Sequence, residues 1–504
     1  MAPQSALPQS ALPQSALPQS APPQPTPPLP RRRRASRGRT RGVFPFVAAA
    51  LIGLITSGPA ILANEAAAAT GPSTGTLTAP EAPPARTGSP VEAGMINRAP
   101  DVVAPALLED RIDTLDDAVE APVRDVDDDK PPEPGTARVT AAPGRGVTFD
   151  SLDGRYALTL RGRLQFRDTL TATDGDIRNE ANLRLARLAL QGHAYDPDLR
   201  YAIQLGFTGP DLMPDIGTSM VMDAWLEWTR WRDLKVRAGQ FFVPLDRART
   251  MSGFALQFVD RGMVPRTLGL DRDVGILFWS TELFGLPWLG YDVFLGGGEG
   301  RNRMGARSPG PLVVGRLTFR PYGVFGENIE GDLMRRRHPR LAIGIAGGYN
   351  HNTDRESSTF GPVYRTGRVS YAHAAVDVLF KYRGLSVMAE YIARHATQDT
   401  ISGLVDGELL EEYTRSGHGY ILQAGYMLTS RVEVAGRWEQ LFAENDTDQV
   451  FSEFVVQSGR QAAGAMSYYV NGHAMKMQAD YTWISGTRRA SPGHQARLQL
   501  EVTF

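Results

Sequence analysis

Arginine recurs at every second position in short stretches of this 504-residue chain that are otherwise apolar. In the stretch YALTLRGRLQFR, Arg161, Arg163 and Arg167 share one face of an extended chain, and leucine and aromatic residues occupy the other. A guanidinium group donates several hydrogen bonds and is well suited to carboxylates and phosphates. A row of such groups predicts weak, stepwise binding of small anions, as a conducting pore requires.

The same two-residue period places further arginines on the polar faces of later stretches. These additional candidates for an anion path are Arg184, Arg237, Arg316, Arg394, Arg437 and Arg497. Acidic residues fall on the same faces, namely Asp223, Glu227, Asp377, Glu390, Glu439, Asp480 and Glu501. Each arginine could instead be paired with a carboxylate, so selectivity would depend on the arrangement of charges rather than on their total.

Composition and motifs argue against catalysis, a cofactor and nucleic-acid binding. The net charge is -1 and cysteine is absent, so the chain has no basic field for nucleic acid and no thiolate or Cys-based metal chemistry. His373, His418 and His473 have no serine at a suitable spacing, and no HExxH, GxSxG, Walker or EF-hand motif occurs. We expect no enzyme activity, no cofactor and no metal.

The elements that would position these side chains are β-strands. From Phe149 to Phe504, short stretches alternate apolar and polar residues, and about sixteen of them can be counted. The alternation slips near Ala186, which predicts a β-bulge. No stretch in this region is long and apolar enough to predict a membrane-spanning helix.

The connections between the strands alternate in length. Long gaps, for example 170–181 and 395–416, are followed by tight turns such as Arg383-Gly384. Only the connection from Tyr322 to His338 is too long for the turn expected there. Long loops on one side and short turns on the other, over an even number of strands, are typical of an outer-membrane barrel.

The chain ends in HQARLQLEVTF, a strict alternation that stops on an aromatic residue. In a closed barrel the last strand pairs with the first, because lipid cannot satisfy an open edge. We therefore expect order up to Phe504, which would lie in the aromatic girdle and serve as the outer-membrane assembly signal. Tryptophans near strand ends are expected in the same girdle, namely Trp225, Trp228, Trp279, Trp288, Trp438 and Trp483.

Residues 1–69 are predicted to be a low-complexity leader followed by a signal peptide. A basic stretch, RRRRASRGRTRG, precedes the apolar run VFPFVAAALIGLIT and small residues, which favours export with cleavage between Ala63 and Ala69. An N-terminal membrane anchor is the alternative. Residues 70–146 are a Pro/Ala/acidic linker whose short helix near 106–121 carries two apolar heptads, a weak indication of oligomers. The barrel domain is predicted over 147–504.

The connection from Val243 to Arg272 combines apolar residues with charges of both signs. Exposed to water, its apolar residues would be unfavourable, so we expect it to fold into the lumen and narrow the pore. Its constriction candidates are Arg247, Arg249, Arg261 and Arg266, opposed by Asp246, Asp260 and Asp271. A surface loop for binding or adhesion is the alternative.

The stretch LKVRAGQFFVPLDRARTMSGFALQFVDRGMVPRTLGLDRDVGILF resembles a block of the phosphate-selective porins O and P, in which GQF-x-x-P leads into the pore-constricting third loop. AAVDVLFKYRGLSVMAEY, GYILQAGYMLTSRVEVAGRWE and SYYVNGHAMKMQADY resemble later strand pairs, and the resemblance covers roughly 149–504. It implies a sixteen-stranded trimeric channel for anions, notably phosphate or polyphosphate. Family members often carry lysine after GQF, whereas this chain has Phe242 there.

We interpret the chain as an all-β transmembrane antiparallel barrel of about sixteen strands, acting as a passive, cofactor-free and anion-preferring porin. Its expected partners are small inorganic anions, outer-membrane lipid, the outer-membrane assembly machinery and further copies of itself in a homotrimer. A porin for neutral or cationic solutes is one alternative. A non-conducting barrel for anchoring or adhesion is the other.

Overall fold

The computed structural model describes residues 137–212, 219–303, 310–444, 447–489 and 491–504. The leader, the signal peptide, the linker helix near 106–121 and almost all of the linker lie outside the described residues, so these assignments stay predictions. In the part of the chain that is described, no helix is both long and apolar enough to cross a membrane.

Sixteen strands of the described chain form one antiparallel ring. They are β3 (Ala157–Thr173), β4 (Asp176–Ala194), β5 (Asp196–Gly206), β6 (Val221–Trp231), β7 (Leu234–Phe242), β8 (Arg272–Ser280), β9 (Leu289–Gly296), β10 (Leu312–Phe319), β11 (Arg340–Thr353), β12 (Val369–Tyr382), β13 (Leu385–Ala396), β16 (Gly417–Met427), β17 (Val432–Ala443), β18 (Arg460–Asn471), β19 (Met475–Ser485) and β20 (Gly493–Thr503). Each pairs with the next, and β20 pairs with β3, which confirms the predicted closed barrel.

The closing seam holds the C-terminal residue in place. The Phe504 backbone N–H donates to the Gly162 carbonyl at 2.9 Å, and the Gly162 N–H donates back to the Phe504 carbonyl at 2.6 Å. The ladder between β20 and β3 therefore continues to the last residue of the chain, as expected for a barrel without a free edge.

Two short hairpins lie outside the ring. In the first, β1 (Arg138–Ala142) pairs with β2 (Gly146–Asp150), and β2 continues along β3 where β20 ends. The barrel wall therefore begins at Ala157, ten residues after the predicted start at Val147. In the second, β14 (Thr400–Val405) pairs with β15 (Glu408–Tyr413), so the predicted loop 395–416 contains a hairpin.

The prediction of a long loop at 170–181 is wrong. Strands β3 and β4 run on to Thr173 and Asp176 and are joined by a two-residue turn, in which Asp174 and Gly175 both have positive φ. An Asp-Gly pair is well suited to such a hairpin turn. The first residues of β4, 176–182, are mostly polar and all exposed, so their composition resembles that of a loop.

The bulge predicted near Ala186 is present, and its position is two residues earlier. Gln165 is paired with Leu185 and Phe166 with Leu183, so Arg184 is the extra residue on β4. The extra residue turns both Arg184 and Leu185 toward buried surroundings.

Residues of the barrel strands alternate between a buried inward face and an apolar outward face. On β20, for example, Arg497, Gln499 and Glu501 are buried, whereas Leu498 between them is 54% exposed. This pattern is expected of a wall with lipid on one side and a polar interior on the other. The girdle prediction is wrong for Trp225 and Trp279, which are buried, because their strand phase turns them inward.

The two ends of the barrel differ in their connections. One end, here called the turn end, carries tight connections such as Arg383-Gly384 and Asn471-Gly472. The other, the loop end, carries longer connections, apart from the turn at Asp174-Gly175, and three helices of the described chain: α1 (Arg247–Thr250), α2 (Met263–Leu268) and α3 (Gln449–Ser458). Two connections are exceptional: the inner loop (residues 243–271) at the loop end and the turn-end segment (residues 320–339) at the turn end.

Gly239 opens the GQF stretch just before the inner loop. Its φ of +134° is rarely adopted by other residues, and a Cβ there would lie 2.2 Å from the Ala224 carbonyl oxygen on the neighbouring strand. Glycine at this position lets β6 and β7 stay paired where the chain turns toward the barrel interior.

Candidate functional site

All nine arginines predicted for the lumen lie on strands of the barrel. They are Arg161, Arg163 and Arg167 on β3, Arg184 on β4, Arg237 on β7, Arg316 on β10, Arg394 on β13, Arg437 on β17 and Arg497 on β20. All are buried except Arg161, which is half-buried. The barrel interior therefore carries a large number of fixed guanidinium groups.

Most of these arginines are paired with carboxylates, often directly across neighbouring strands. Arg497 contacts Asp480 at 2.7 Å, and the two residues are register partners. The distances are 3.1 Å for Arg163–Glu501, 2.7 Å for Arg237–Glu227 and 2.7 Å for Arg437–Glu439, and Arg316 pairs with Asp377. The pairs hold the guanidinium groups rigid and offset part of their charge, as one of the two sequence-based alternatives proposed.

Arg394 is held differently. Its Nε donates to the Arg415 carbonyl at 2.9 Å and its Nη1 to the Thr267 carbonyl at 3.1 Å, and its guanidinium carbon lies 5.7 Å from the Tyr371 ring centre. Neutral oxygens and an aromatic face leave the positive charge of Arg394 in place. The Thr267 contact also ties this wall residue to the inner loop.

The inner loop lies within the barrel, where carboxylates of the opposite wall accept hydrogen bonds from its backbone. Glu390 accepts from the N–H groups of Arg247 at 2.6 Å and Ala248 at 3.1 Å. The Val259 N–H donates to Asp480 and the Val264 N–H to Glu439, at 3.1 and 3.2 Å. A buried loop must find partners for its backbone N–H groups, and these carboxylates supply them.

The apolar side chains of the inner loop form a core with the barrel wall. Val243, Leu245, Val264 and Leu268 are fully buried in a cluster that includes Trp225, Phe294 and Leu441. These contacts explain why the loop sequence is rich in apolar residues although it joins two strands at a membrane surface.

Three of the four constriction candidates contact different partners, and the fourth, Arg266, lies near Asp260. Arg247 pairs with Asp377 and contacts Glu327 at 3.0 Å. Arg249 lies 3.7 Å from Asp271, and Arg261 donates to the Ala248 carbonyl at 3.0 Å. They are thus brought into the interior, but not into a single cluster.

Asp260 of the inner loop is a shared partner of three arginines. Its carboxylate lies 3.1 Å from Arg167, 3.7 Å from Arg266 and 3.7 Å from Arg497. One carboxylate therefore faces three guanidinium groups where the loop meets β3 and β20. The sequence suggested that arginines and aspartates of the loop lie opposite one another. Only the fold shows that Asp260 also contacts arginines of the barrel wall.

Two lysines outside the predicted site residues, Lys476 and Lys381, hold the interior loops. Lys476 on β19 donates to the carbonyls of Phe254 and Leu256 in the inner loop, at 2.5 and 3.2 Å. Lys381 on β12 donates to the carbonyls of Gly326, at 2.9 Å, and Ile329 in the turn-end segment. The sequence did contain a signal for them: both lie at inward-facing positions of a strand, in a chain that has few lysines.

The turn-end segment also folds inward and joins the inner loop. The Ser252 N–H donates to the Asn328 carbonyl at 3.2 Å, and the Gln257 N–H donates to the Glu330 carboxylate at 2.7 Å. Burial raises the pKa of Glu327, but the charges of Arg247 and Arg320 outweigh it, so the pKa lies below its usual range. Glu327 is therefore ionised at neutral pH.

A cavity of about 840 Å³ separates these two segments from the wall formed by β7 to β10. Six cationic side chains line it: Lys235, Arg237, Arg247, Arg316, Arg320 and Arg336. Its acidic lining residues are Asp292 and Glu327. The cavity thus presents more cationic than acidic side chains to a solute near the turn end.

The position after GQF carries an aromatic ring covered by a guanidinium group. The guanidinium carbon of Arg272 lies 3.9 Å from the centre of the Phe242 ring, and Arg272 also contacts Asp223 at 3.0 Å. A positive charge therefore lies beside this position, although the residue itself is neutral.

Comparison with known proteins agrees with this architecture. The family described as phosphate-selective porin O and P matches residues 158–504, and the chain belongs to this family. It is accordingly an outer-membrane β-barrel protein of the porin class. No curated protein sequence matches the chain.

Several solved outer-membrane channels are similar in structure, at low sequence identity. Salmonella typhi OmpF in complex with daunomycin has 14% identity and a TM-score of 0.45, covering 70% of this chain and 100% of its own. The Acinetobacter baumannii channel DcaP has 12% sequence identity and a TM-score of 0.45, and the match covers 71% of this chain and 100% of DcaP. The high-pH structure of Pseudomonas putida OprB has 12% sequence identity and a TM-score of 0.45, and the match covers 70% of this chain and 95% of OprB.

Proposed function

We propose that this porin passes small anions, with phosphate or polyphosphate as the solutes that the family implies. The observation that carries the proposal is the cavity beside β7 to β10, which six cationic and two acidic side chains line. An anion that crosses the barrel near the turn end would meet these groups. Selectivity then follows from the position of the cations rather than from the net charge of the chain, which is -1.

The proposed path consists of several weak sites. Arg394 near the inner loop and Arg237 and Arg316 in the cavity are fixed by their partners, so they can attract an anion without reorganising. The carboxylate partners of Arg237 and Arg316 weaken these two sites, which favours release as well as binding. No covalent chemistry, cofactor or metal is part of this function.

A porin for neutral or cationic solutes is the second candidate. The carboxylate pairs of Arg163, Arg237, Arg437 and Arg497 favour it, because paired charges present little net field to a solute. The first candidate predicts a pore that prefers anions, and the second predicts a pore that prefers cations or has no charge preference.

Bilayer current with unequal KCl concentrations on the two sides distinguishes the candidates. We expect a reversal potential of the anion-selective sign and a reduction of the current when phosphate is added, because phosphate would occupy the guanidinium sites. A neutral or cation-selective pore would contradict the proposed function. A protein that forms no channel would favour the anchor or adhesion barrel.

We also propose that the porin is a homotrimer. Asp168 lies exposed on the outer face of β3, opposite Leu498, the middle residue of β20. A carboxylate that faces lipid at this depth is unfavourable, and a neighbouring copy packed against this wall would shield it. Light scattering of the detergent-purified channel should give a protein mass of three mature chains. A monomer mass in a detergent that preserves the channel would contradict the assembly.

Export and assembly complete the proposal. The signal peptide would be cleaved between Ala63 and Ala69, and the N-terminal sequence of the mature protein tests this. Phe504, which follows β20 and is 58% exposed, would present the aromatic end of the chain to the outer-membrane assembly machinery. Small inorganic anions and outer-membrane lipid are the remaining partners.

A further inference from the structure

The cavity beside β7 to β10 contains a carboxylate that the proposed anion path does not need. Glu327 belongs to the turn-end segment, lines the cavity and is only 12% exposed. One of its oxygens contacts Arg247 at 3.0 Å, and the other accepts from Arg320. A single carboxylate thus bridges two guanidinium groups, one from the inner loop and one at the end of β10.

The two arginines differ in their other partners. Arg247 also pairs with Asp377, which is shared with Arg316. Arg320 has Glu327 as its carboxylate partner, and its Nη1 is buried with no hydrogen-bond partner among the described residues. Without Glu327, the Arg320 charge would therefore be left without a carboxylate at the edge of the cavity.

This geometry is that of an anion site already occupied by a side chain. Two guanidinium groups around one carboxylate reproduce the contacts that arginines make with a free carboxylate or phosphate. We propose that Glu327 is a tethered competitor for the permeating anion, which binds between Arg247 and Arg320 by displacing the glutamate. The inference rests on the proposed anion path and assigns its specificity-determining residue at the turn end.

Because Glu327 is attached to the chain, a site that it occupies can bind a passing anion weakly enough for transport. A competitor attached to the same chain acts at an effective concentration on the order of mM, which weakens the apparent affinity for a free anion. An anion that displaced Glu327 would be released again when the glutamate returned. A pore needs this combination of attraction and rapid release.

The test compares Glu327→Gln with Glu330→Gln in planar bilayers, with inorganic phosphate as the blocking anion. Glu330 is in the same segment and bears the same charge, but it contacts the Gln257 N–H and the Gln423 amide instead of the cavity arginines. We expect E327Q to lower the half-blocking phosphate concentration about tenfold, because the competitor is removed. E330Q should stay within about twofold of the parent channel.

Two further variants separate competition from a general loss of charge. Glu327→Asp keeps the carboxylate and should restore block close to that of the parent channel. Arg320→Gln, combined with E327Q, should abolish the gain in affinity because one of the two guanidinium groups is lost. Heat-modifiable migration in detergent establishes that each variant is folded.

The outcomes are distinct. An unchanged half-blocking concentration in E327Q, or an equal fall in E330Q, would overturn the role of Glu327 while leaving an anion-selective parent channel intact. A parent channel that prefers cations would overturn the proposed function together with this inference. A gain that persists in the Arg320→Gln combination would place the site elsewhere and overturn the assignment.

Discussion

Replacement of residues 248–267 by a short Gly-Ser linker is expected to raise the single-channel conductance about three- to fivefold, since a sixteen-stranded barrel without an inward loop leaves a wide aqueous channel. These residues form most of the buried inner loop, whose backbone is held by Asp480 and Glu439 on the opposite wall. Strands β7 and β8 are left whole, and their pairing from Lys235↔Trp279 to Phe242↔Arg272 should keep the barrel closed.

The matched control removes another loop-end connection, one that lies outside the ring of barrel strands. Hairpin β14–β15, residues 400–413, forms a separate two-stranded sheet at the loop end, and its tip residues Leu404 and Leu409 are each 76% exposed. Its replacement by the same linker should leave the conductance within about 20% of the parent value, because the hairpin is paired with no strand of the barrel wall. Equal conductance changes in both variants would mean that the inner loop does not limit the current.

Lys476→Met is expected to destabilise the barrel by about 2–4 kcal/mol and to make the open-channel current noisy. Lys476 is fully buried and donates to the Phe254 and Leu256 carbonyls, so methionine would leave both carbonyls without this donor. It also lies 3.8 Å from Glu501, which would keep Arg163 as its charged partner. The inner loop would then be less firmly attached to β19.

The urea midpoint for loss of heat-modifiable migration measures the stability change, and single-channel recordings measure the noise. Lys235→Met is the control, since Lys235 loses the same charge but lies 4.3 Å over the Trp279 ring and holds no loop. It should lower stability by no more than about 1 kcal/mol and leave the open current steady. Equal effects of the two substitutions would show that charge, and not the attachment of the loop, determines the behaviour.

Much of the barrel could be predicted from the sequence because alternation is a local property. A strand with one face toward lipid and one toward a polar interior must repeat every two residues, as the end of the chain from Ala496 to Phe504 does. The strand count in the ring, its closure and the turn at Arg383-Gly384 followed from that pattern. The hairpin at Asp174-Gly175 did not, because residues 176–182 at the start of β4 are mostly polar, are exposed and resemble a loop.

The two-residue alternation of each strand predicted that the arginines face the interior, but it could not predict which residues they contact. Arg497 is paired with Asp480, whereas Arg394 is held by the carbonyls of Thr267 and Arg415. The difference arises from register and from loops distant in sequence, and neither leaves a local pattern. Trp225 and Trp279 lie near strand ends, where a girdle was predicted, but their strand phase turns them inward; Trp225 shares the face of Asp223 and Glu227.

The sequence by itself determined a sixteen-stranded barrel with polar and arginine-rich inner faces, because backbone hydrogen bonding in lipid leaves few alternatives. The tertiary structure alone decided what occupies the interior. Lys476 and Lys381 gain their roles only when the inner loop folds onto β19 and the turn-end segment folds onto β12. Glu327 gains its contact with Arg247 only when the two segments meet inside the barrel. Charges that meet through folding interact according to distance in space, and sequence spacing does not encode that distance.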